Sequence, residues 1–503
     1  MWRFTNEVKT FPERIAVAHD VGQAIAVASN DQEPQTFSRE RRRSLLRRAT
    51  NVSTAPMSGK WGLWLVLAAL ALTIVEGGFR KWVGVFGEGI WRYIAYFSKD
   101  MVFAALLLLP ARRVSSAGVA TFRVWLLLGC IFLVGGASIS AMETFNPVGA
   151  ALTIRAAVVL PVIAFFVIPR LKGISVQTAA WLLCVLTILN FGLAVFQNRL
   201  PSDHMLNKYA ADTEKIVALE SGVRATGTFS YISGLGVLSS VGIWAGMVLL
   251  SLARGNWQRV GGWAAIVAGF GCGLAAVARG PVVIAAVMVL LWMGFSRASI
   301  SVAARSIFAG LLLLGLLVAF DVVPILSALG KDLRERHEEA GDVVQERVFG
   351  QLGEGYEAMK VAPLGAGLGT EQIAGNFYAS GITGFTNFET QLPRLVMEVG
   401  VLGMLGFLMI CAGAILALQA AKQEVTSDGE RAMLLATQLL LLPIFYTNIV
   451  FNHTASAFAW MIFSVVLAGD KSTGERGGLF RHDRKARKSR RRDGKVATSG
   501  KPL

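Results

Sequence analysis

Six side chains stand out because their types suit an anionic ligand and a proton transfer. Arg80, Arg224 and Arg279 each sit in a short turn between long apolar runs, in Glu76-Gly77-Gly78-Phe79-Arg80-Lys81-Trp82, Arg224-Ala225-Thr226-Gly227-Thr228-Phe229 and Ala278-Arg279-Gly280-Pro281. Arg347, Tyr356 and Glu389 sit in one long polar break. A guanidinium presents a rigid fork of donors that matches phosphate or carboxylate oxygens. Taken singly, each arginine is as well explained by snorkelling to headgroups or by a local ion pair. Three on one side of a membrane point to a shared anionic ligand. Glu389 precedes Pro393 by about one turn, where it can serve as a general base. It equally suits a helix N-terminus, where the dipole favours a carboxylate.

The elements that must position these groups are membrane spans. The 503 residues are 54% hydrophobic and 16% charged, with a mean hydropathy of +0.53. A soluble domain carries about 25% charged residues. Windows approaching the roughly 20 apolar residues of a spanning helix are Trp61–Phe79, Ile94–Leu109, Ala120–Ile139, Ala150–Ile168, Val176–Phe196, Gly234–Leu252, Val260–Val277, Pro281–Phe295, Ile307–Val323, Leu395–Ala421, Met433–Val450 and Ala455–Gly469. The fold class expected is therefore an all-α polytopic membrane protein of about 12 transmembrane helices. Each of the four cysteines lies in a span and reads as a small core residue. The first apolar run starts only at Trp61 and reads as a signal anchor.

Charge sets the orientation. Arginines 39, 41, 42, 43, 47 and 48 precede the first span, and a second basic run from Arg481 to Lys495 follows the last. Loops with Arg112 and Arg113, Arg170 and Lys172, Arg254, and Arg297 and Arg305 are basic, whereas Ser140–Pro147 carries only Glu143. The positive-inside rule places both termini in the cytoplasm. Residues 1–59 read as a disordered basic tail, 60–470 as the transmembrane domain and 471–503 as a second basic tail. The tails suit anionic lipid rather than nucleic acid.

The break between Asp321 and Pro393 then faces outward, its loop proper running over 324–393. Lys331 to Lys360 mixes apolar and charged residues and predicts one or two amphipathic helices along the surface. Pro363 ends them. The glycines of Pro363–Gly369 read as a tight turn, with phosphate cradling as the alternative. Arg394 and Glu398 are spaced to pair on the next helix. Lys99, Asp100 and Arg155 lie within spans. Buried ionisable groups read either as functional or as a salt bridge between spans. His453 reads as structural.

Together, Arg224–Phe229, Arg279-Gly280, Pro363–Gly369 and Glu398-Val399-Gly400-Val401-Leu402-Gly403 resemble the bacterial O-antigen ligase and O-antigen/exopolysaccharide polymerase family. Glu76–Trp82 and Tyr96–Asp100 are closer to its exopolysaccharide-polymerase side. The resemblance implies a GT-C-type membrane glycosyltransferase, independent of metal and with no cofactor. It would act on glycans carried by undecaprenyl diphosphate, outside the cytoplasmic (inner) membrane. It implies that Arg224 and Arg279 hold the diphosphate, with Arg80, Arg347 and Tyr356 as further contacts. The ligase branch has a His-Asn pair where this chain has Glu389-Thr390. Glu389 would then deprotonate the acceptor hydroxyl, with Glu371 or Glu354 as substitutes, and displacement would invert the anomeric carbon. A chain-length regulator is an implied partner.

Three functions remain open at this point. A polymerase moves the growing glycan onto the next lipid-linked repeat. A ligase moves it to lipid A core or protein. A transporter or flippase would show internal repeats and ionisable residues near the midplane, but the halves show no clear repeat and most candidate charges fall at the outer lip. Arg224, Arg279 and Glu389 are expected to converge on one outward-facing cavity.

Overall fold

The computed structural model describes residues 56–82, 90–109, 116–168, 171, 175–208, 218–219, 222–296, 343–370, 391–447 and 449–469. Glu389, Glu371, the window Ile307–Val323, the segment 331–342 and most of both tails lie outside the described residues. The described chain is helical apart from one two-residue hairpin. Its elements are α1 (Pro56–Trp82), α2 (Ile90–Leu107), α3 (Ala117–Ser140), α4 (Pro147–Ile154), a π-turn (Arg155–Val159), α5 (Leu160–Val167), α6 (Val176–Asn198), β1 (Ala218–Leu219), β2 (Gly222–Val223), α7 (Ile232–Ser251), α8 (Asn256–Ala275), α9 (Arg279–Phe295), α10 (Val343–Val361), α11 (Gln391–Glu424), α12 (Asp428–Thr447) and α13 (His453–Ala468).

Eleven of the twelve expected windows fall on described helices. Among the described residues six spans are long and apolar enough to cross a membrane, Trp61–Trp82, α3, Pro147–Val167, α6, α7 and α11, while Gly280–Phe295 and α13 are shorter apolar helices. Length and apolarity make this a membrane protein. Helix α7 is the hub, because nearly all of it is buried. Trp244 and Trp292 bridge to α12 by donating to Thr437 Oγ1 (3.0 Å) and the Ala432 carbonyl (3.2 Å).

Close helix contacts are made by small residues, as expected where lipid removes the hydrophobic drive between helices. On α3, Gly118, Gly129 and Gly136 lie against the backbone of Ala417, Gly406 and Gly403 on α11. On α8, Gly262 and Gly269 meet Gly246 and Ser239 of α7 in the same way.

The chain alternates between two ends of the bundle. Ser116, Ser175, Ser251, Arg254, Ser427 and Gly469 share one cavity at one end, so the turns there face a common side. At the other end Asn198 donates to the Ala275 carbonyl (3.4 Å) and the Asn146 amide donates to the Leu368 carbonyl (3.0 Å).

The polar break is described over α10 and the turn after it. Gln351, Gly355 and Ala358 are buried at helical spacing, and α10 packs on α11 along that face. Leu352 and Tyr356 are exposed. Helix α10 falls in the 331–360 stretch where amphipathic helices are expected, of which 331–342 lie outside the described residues. The glycine turn is structural. Amides of Gly365, Ala366, Gly367, Leu368 and Gly369 donate to Ala362 O (3.0 Å), Met397 O (2.7 Å), Ser140 Oγ (3.1 Å), Thr144 O (2.9 Å) and Glu398 Oε2 (3.1 Å). With those donors spent inside the protein, the turn is a clamp rather than a phosphate cradle. Gly400 has φ 68° where α11 kinks, and there the Val401 amide reaches the Pro363 carbonyl (2.9 Å).

Candidate functional site

The end of the bundle that carries the clamp also carries a buried charge cluster. Glu76 on α1 pairs with Lys99 on α2, and both side chains are almost fully buried. Arg80, one turn beyond Glu76, lies 3.8 Å from its carboxylate. His453 at the start of α13 is 3.9 Å from the same oxygen. Asp100 on α2 holds Arg155 at 2.9 Å. The ring of Tyr96 sits between the cations, with Arg80, Lys99 and Arg155 at 5.0, 5.1 and 5.5 Å from its centroid. Its hydroxyl accepts from Arg155 at 3.4 Å, and His453 meets it edge-on at 5.1 Å.

Local sequence explains why these groups meet. Glu76 and Arg80 are four apart and share a face of α1. Tyr96, Lys99 and Asp100 fall within little more than one turn of α2, so Lys99 turns to α1 while Asp100 turns to Arg155. Arg155 opens a π-turn in which the Leu160 amide bonds Arg155 O rather than the usual carbonyl. Pro161 follows. It has no amide proton for the Ala157 carbonyl, and the ladder widens just before it. Of the two readings of the in-span charges, the ion pairs between spans are now visible.

The Arg224 segment runs past this cluster. Lys81 is buried and donates to Thr226 Oγ1 (2.8 Å) and the Gly227 carbonyl (2.7 Å). Arg80 donates to Ser230 Oγ (3.2 Å), and Thr228 Oγ1 donates to the Ile74 carbonyl (2.6 Å). Gln197 Oε1 accepts from the amides of Thr226 (3.2 Å) and Gly227 (2.8 Å), which fixes the turn. Arg224 donates to the carbonyls of Ala276 (3.1 Å) and Val277 (3.4 Å), in the turn that leads into Arg279. Val277 has φ 49°. A β-branched residue there is strained, and the Arg224 guanidinium anchors that strained turn.

The structure thus brings together Arg80, the Arg224 segment and the turn preceding Arg279. Arg347 lies on α10. Tyr356 is on the exposed face of that helix with Lys360 over its ring at 4.2 Å, so it is not drawn into the cluster. Glu354, named above as a substitute base, shares α10. Glu389 lies outside the described residues. Glu398 is fully buried and accepts from Thr153 Oγ1 (2.6 Å) as well as Gly369 N. Arg394 lies 5.8 Å from the ring of Phe451.

Sequence reasoning left out Glu76, Lys81, Tyr96 and His453 as site residues. The available signal was charge of opposite sign at matching depth in consecutive spans. Lys99 is nine residues into α2 and Arg155 eight beyond Pro147, or about 12–14 Å along their helices. Those charges thus lie more than two turns in from the starts of their helices. Among the described residues no group of three or more metal-ligating side chains occurs. A scan against protein-family models finds no match, and a search of curated proteins finds none either.

Proposed function

We propose that the chain is a membrane glycosyltransferase that polymerises O-antigen or exopolysaccharide repeat units. The donor is a glycan on undecaprenyl diphosphate at the outer face of the bacterial inner membrane. One observation carries the reading. Arg80, Lys81, the Arg224 segment and the turn leading to Arg279 meet at one end of an apolar bundle. A lipid diphosphate needs such a place, because its tail stays in the bilayer and its charge must be met at the edge. Arginine and lysine can meet that charge without a metal. Displacement breaks the bond from the anomeric carbon to the diphosphate oxygen, which leaves with the electron pair. The acceptor hydroxyl supplies the new oxygen, and Glu389 takes its proton.

The test is a gel of lipid-linked and polymerised glycan from cells carrying Arg80→Ala or Arg224→Ala. The expected result is accumulation of single lipid-linked repeats. Normal chain length in both variants sinks the reading. Long lipid-linked chains that fail only to be attached would move it to a ligase.

A transporter is the second reading, favoured by the depth of Lys99 and Arg155 within their helices. It predicts movement of a lipid-linked sugar into vesicles with no chemical change.

A further inference from the structure

The charge cluster holds more positive than negative charge. Arg80, Lys99 and Arg155 face Glu76 and Asp100. Counted at their ordinary charges, with a neutral imidazole at His453 and with Lys81 set apart because it is spent on Thr226 and Gly227, these five groups leave an excess of one positive charge. A low-dielectric interior makes such an excess costly unless an anion joins it. The geometry also leaves donors. Among the described residues, Arg155 Nη2 is buried and makes no hydrogen bond, and Asp100 Oδ2 likewise accepts none. Beside them is a small cavity lined by Tyr96, Arg155 and His453, with Leu152 and Phe451 among its apolar walls. It offers about 20 Å³, room for one oxygen-sized atom.

We propose that this cavity receives one oxygen of a carboxylate carried by the sugar substrate, held by Arg155 with Tyr96 and His453 alongside. Charge selects the ligand class. A carboxylate brings one negative charge and matches the excess. A diphosphate brings more than one and would overshoot the excess. Arg155 in the π-turn therefore reads sugar acidity. The identification of the carboxylate as a sugar's rests on the glycan reading above. The Arg155 site itself does not.

The test is direct binding to the full-length chain in detergent micelles, with glucuronate, glucose and inorganic diphosphate as probes. Wild type is expected to bind glucuronate at least tenfold tighter than glucose. Arg155→Gln is expected to abolish that preference. Because Arg155→Gln removes a buried partner and can unfold the protein, Asp100→Asn is the second arm. It frees Arg155 from its carboxylate and is expected to tighten glucuronate several-fold. Equal affinity of wild type for glucuronate and glucose overturns the proposal. So does weaker glucuronate binding by folded Asp100→Asn, which would make the pair a strut. Arg155-dependent binding of diphosphate without glucuronate overturns it too. Arg155-dependent glucuronate binding in a chain that polymerises nothing would retain the site and discard the glycosyltransfer reading.

Discussion

At the scale of single residues, the interior of the bundle is expensive, and its contents reveal what must be balanced. Lys99 is fully buried and its carboxylate partner Glu76 nearly so. Removing one partner of such a pair leaves a charge with no solvent, at a cost of about 3–5 kcal/mol. Arg80 and His453 remain near Glu76, so Lys99→Met is expected at the lower end of that range. Thermal unfolding in micelles reads it. Adding Glu76→Gln to Lys99→Met should recover part of the loss, because the stranded charge goes with it. Equal or greater loss in the double variant would mean that Glu76 is held by its other neighbours and that Lys99 is not its counter-ion.

At the scale of elements, the glycine turn and α11 form one device. Gly149 at the start of α4 touches the Gly369 carbonyl, and Gly400 lies on Leu364 of the turn. A Cβ at Gly400 would meet the Leu364 carbonyl carbon at 2.7 Å, from a φ that L residues rarely adopt. A Cβ at Gly149 would overlap the Gly369 carbonyl oxygen. Gly149→Ala and Gly400→Ala should each destabilise by about 1–3 kcal/mol. Gly192 has open space around it inside α6, so Gly192→Ala should be neutral or stabilise by up to about 1 kcal/mol. Unfolding temperatures of the three variants decide this, and matched losses at all three sites would contradict the clamp. The clamp also bears on Glu398, whose carboxylate ties Thr153 on α4 to the Gly369 amide. That tie sits two residues from Arg155, so loosening the turn would reach the charge cluster.

At the scale of the whole molecule, the spans were legible because apolar length is a local property. Trp61–Phe79 or Leu395–Ala421 can be read from adjacent letters, and helices stand there. The Arg80–Ser230 contact joins residues 150 positions apart, and Glu76–Lys99 crosses from one span to the next. Such pairings depend on which helices become neighbours, which no window of sequence contains. The turn at Pro363–Gly369 was legible as a turn, but not the groups that hold its amides, the Ser140 hydroxyl and the Thr144 and Met397 carbonyls. Orientation is a property of this same scale. Among the described residues the turns alternate between a cluster-bearing end and an end lined by Ser116, Ser175, Ser251 and Ser427. The basic turn of Arg254 falls at the latter, and the positive-inside rule predicts that this end is cytoplasmic. A charge-poor loop such as Ala141–Asn146 falls at the former, beside the clamp. The prediction is for single cysteines in a background with Cys130, Cys184, Cys272 and Cys411 replaced. Ser202→Cys, in the exposed turn after α6, should react in intact cells with a membrane-impermeant maleimide. Ser427→Cys, exposed before α12, should react only after permeabilisation. The opposite labelling would turn the charge cluster towards the cytoplasm, away from any glycan already carried across the membrane, and the polymerase reading would fail with it.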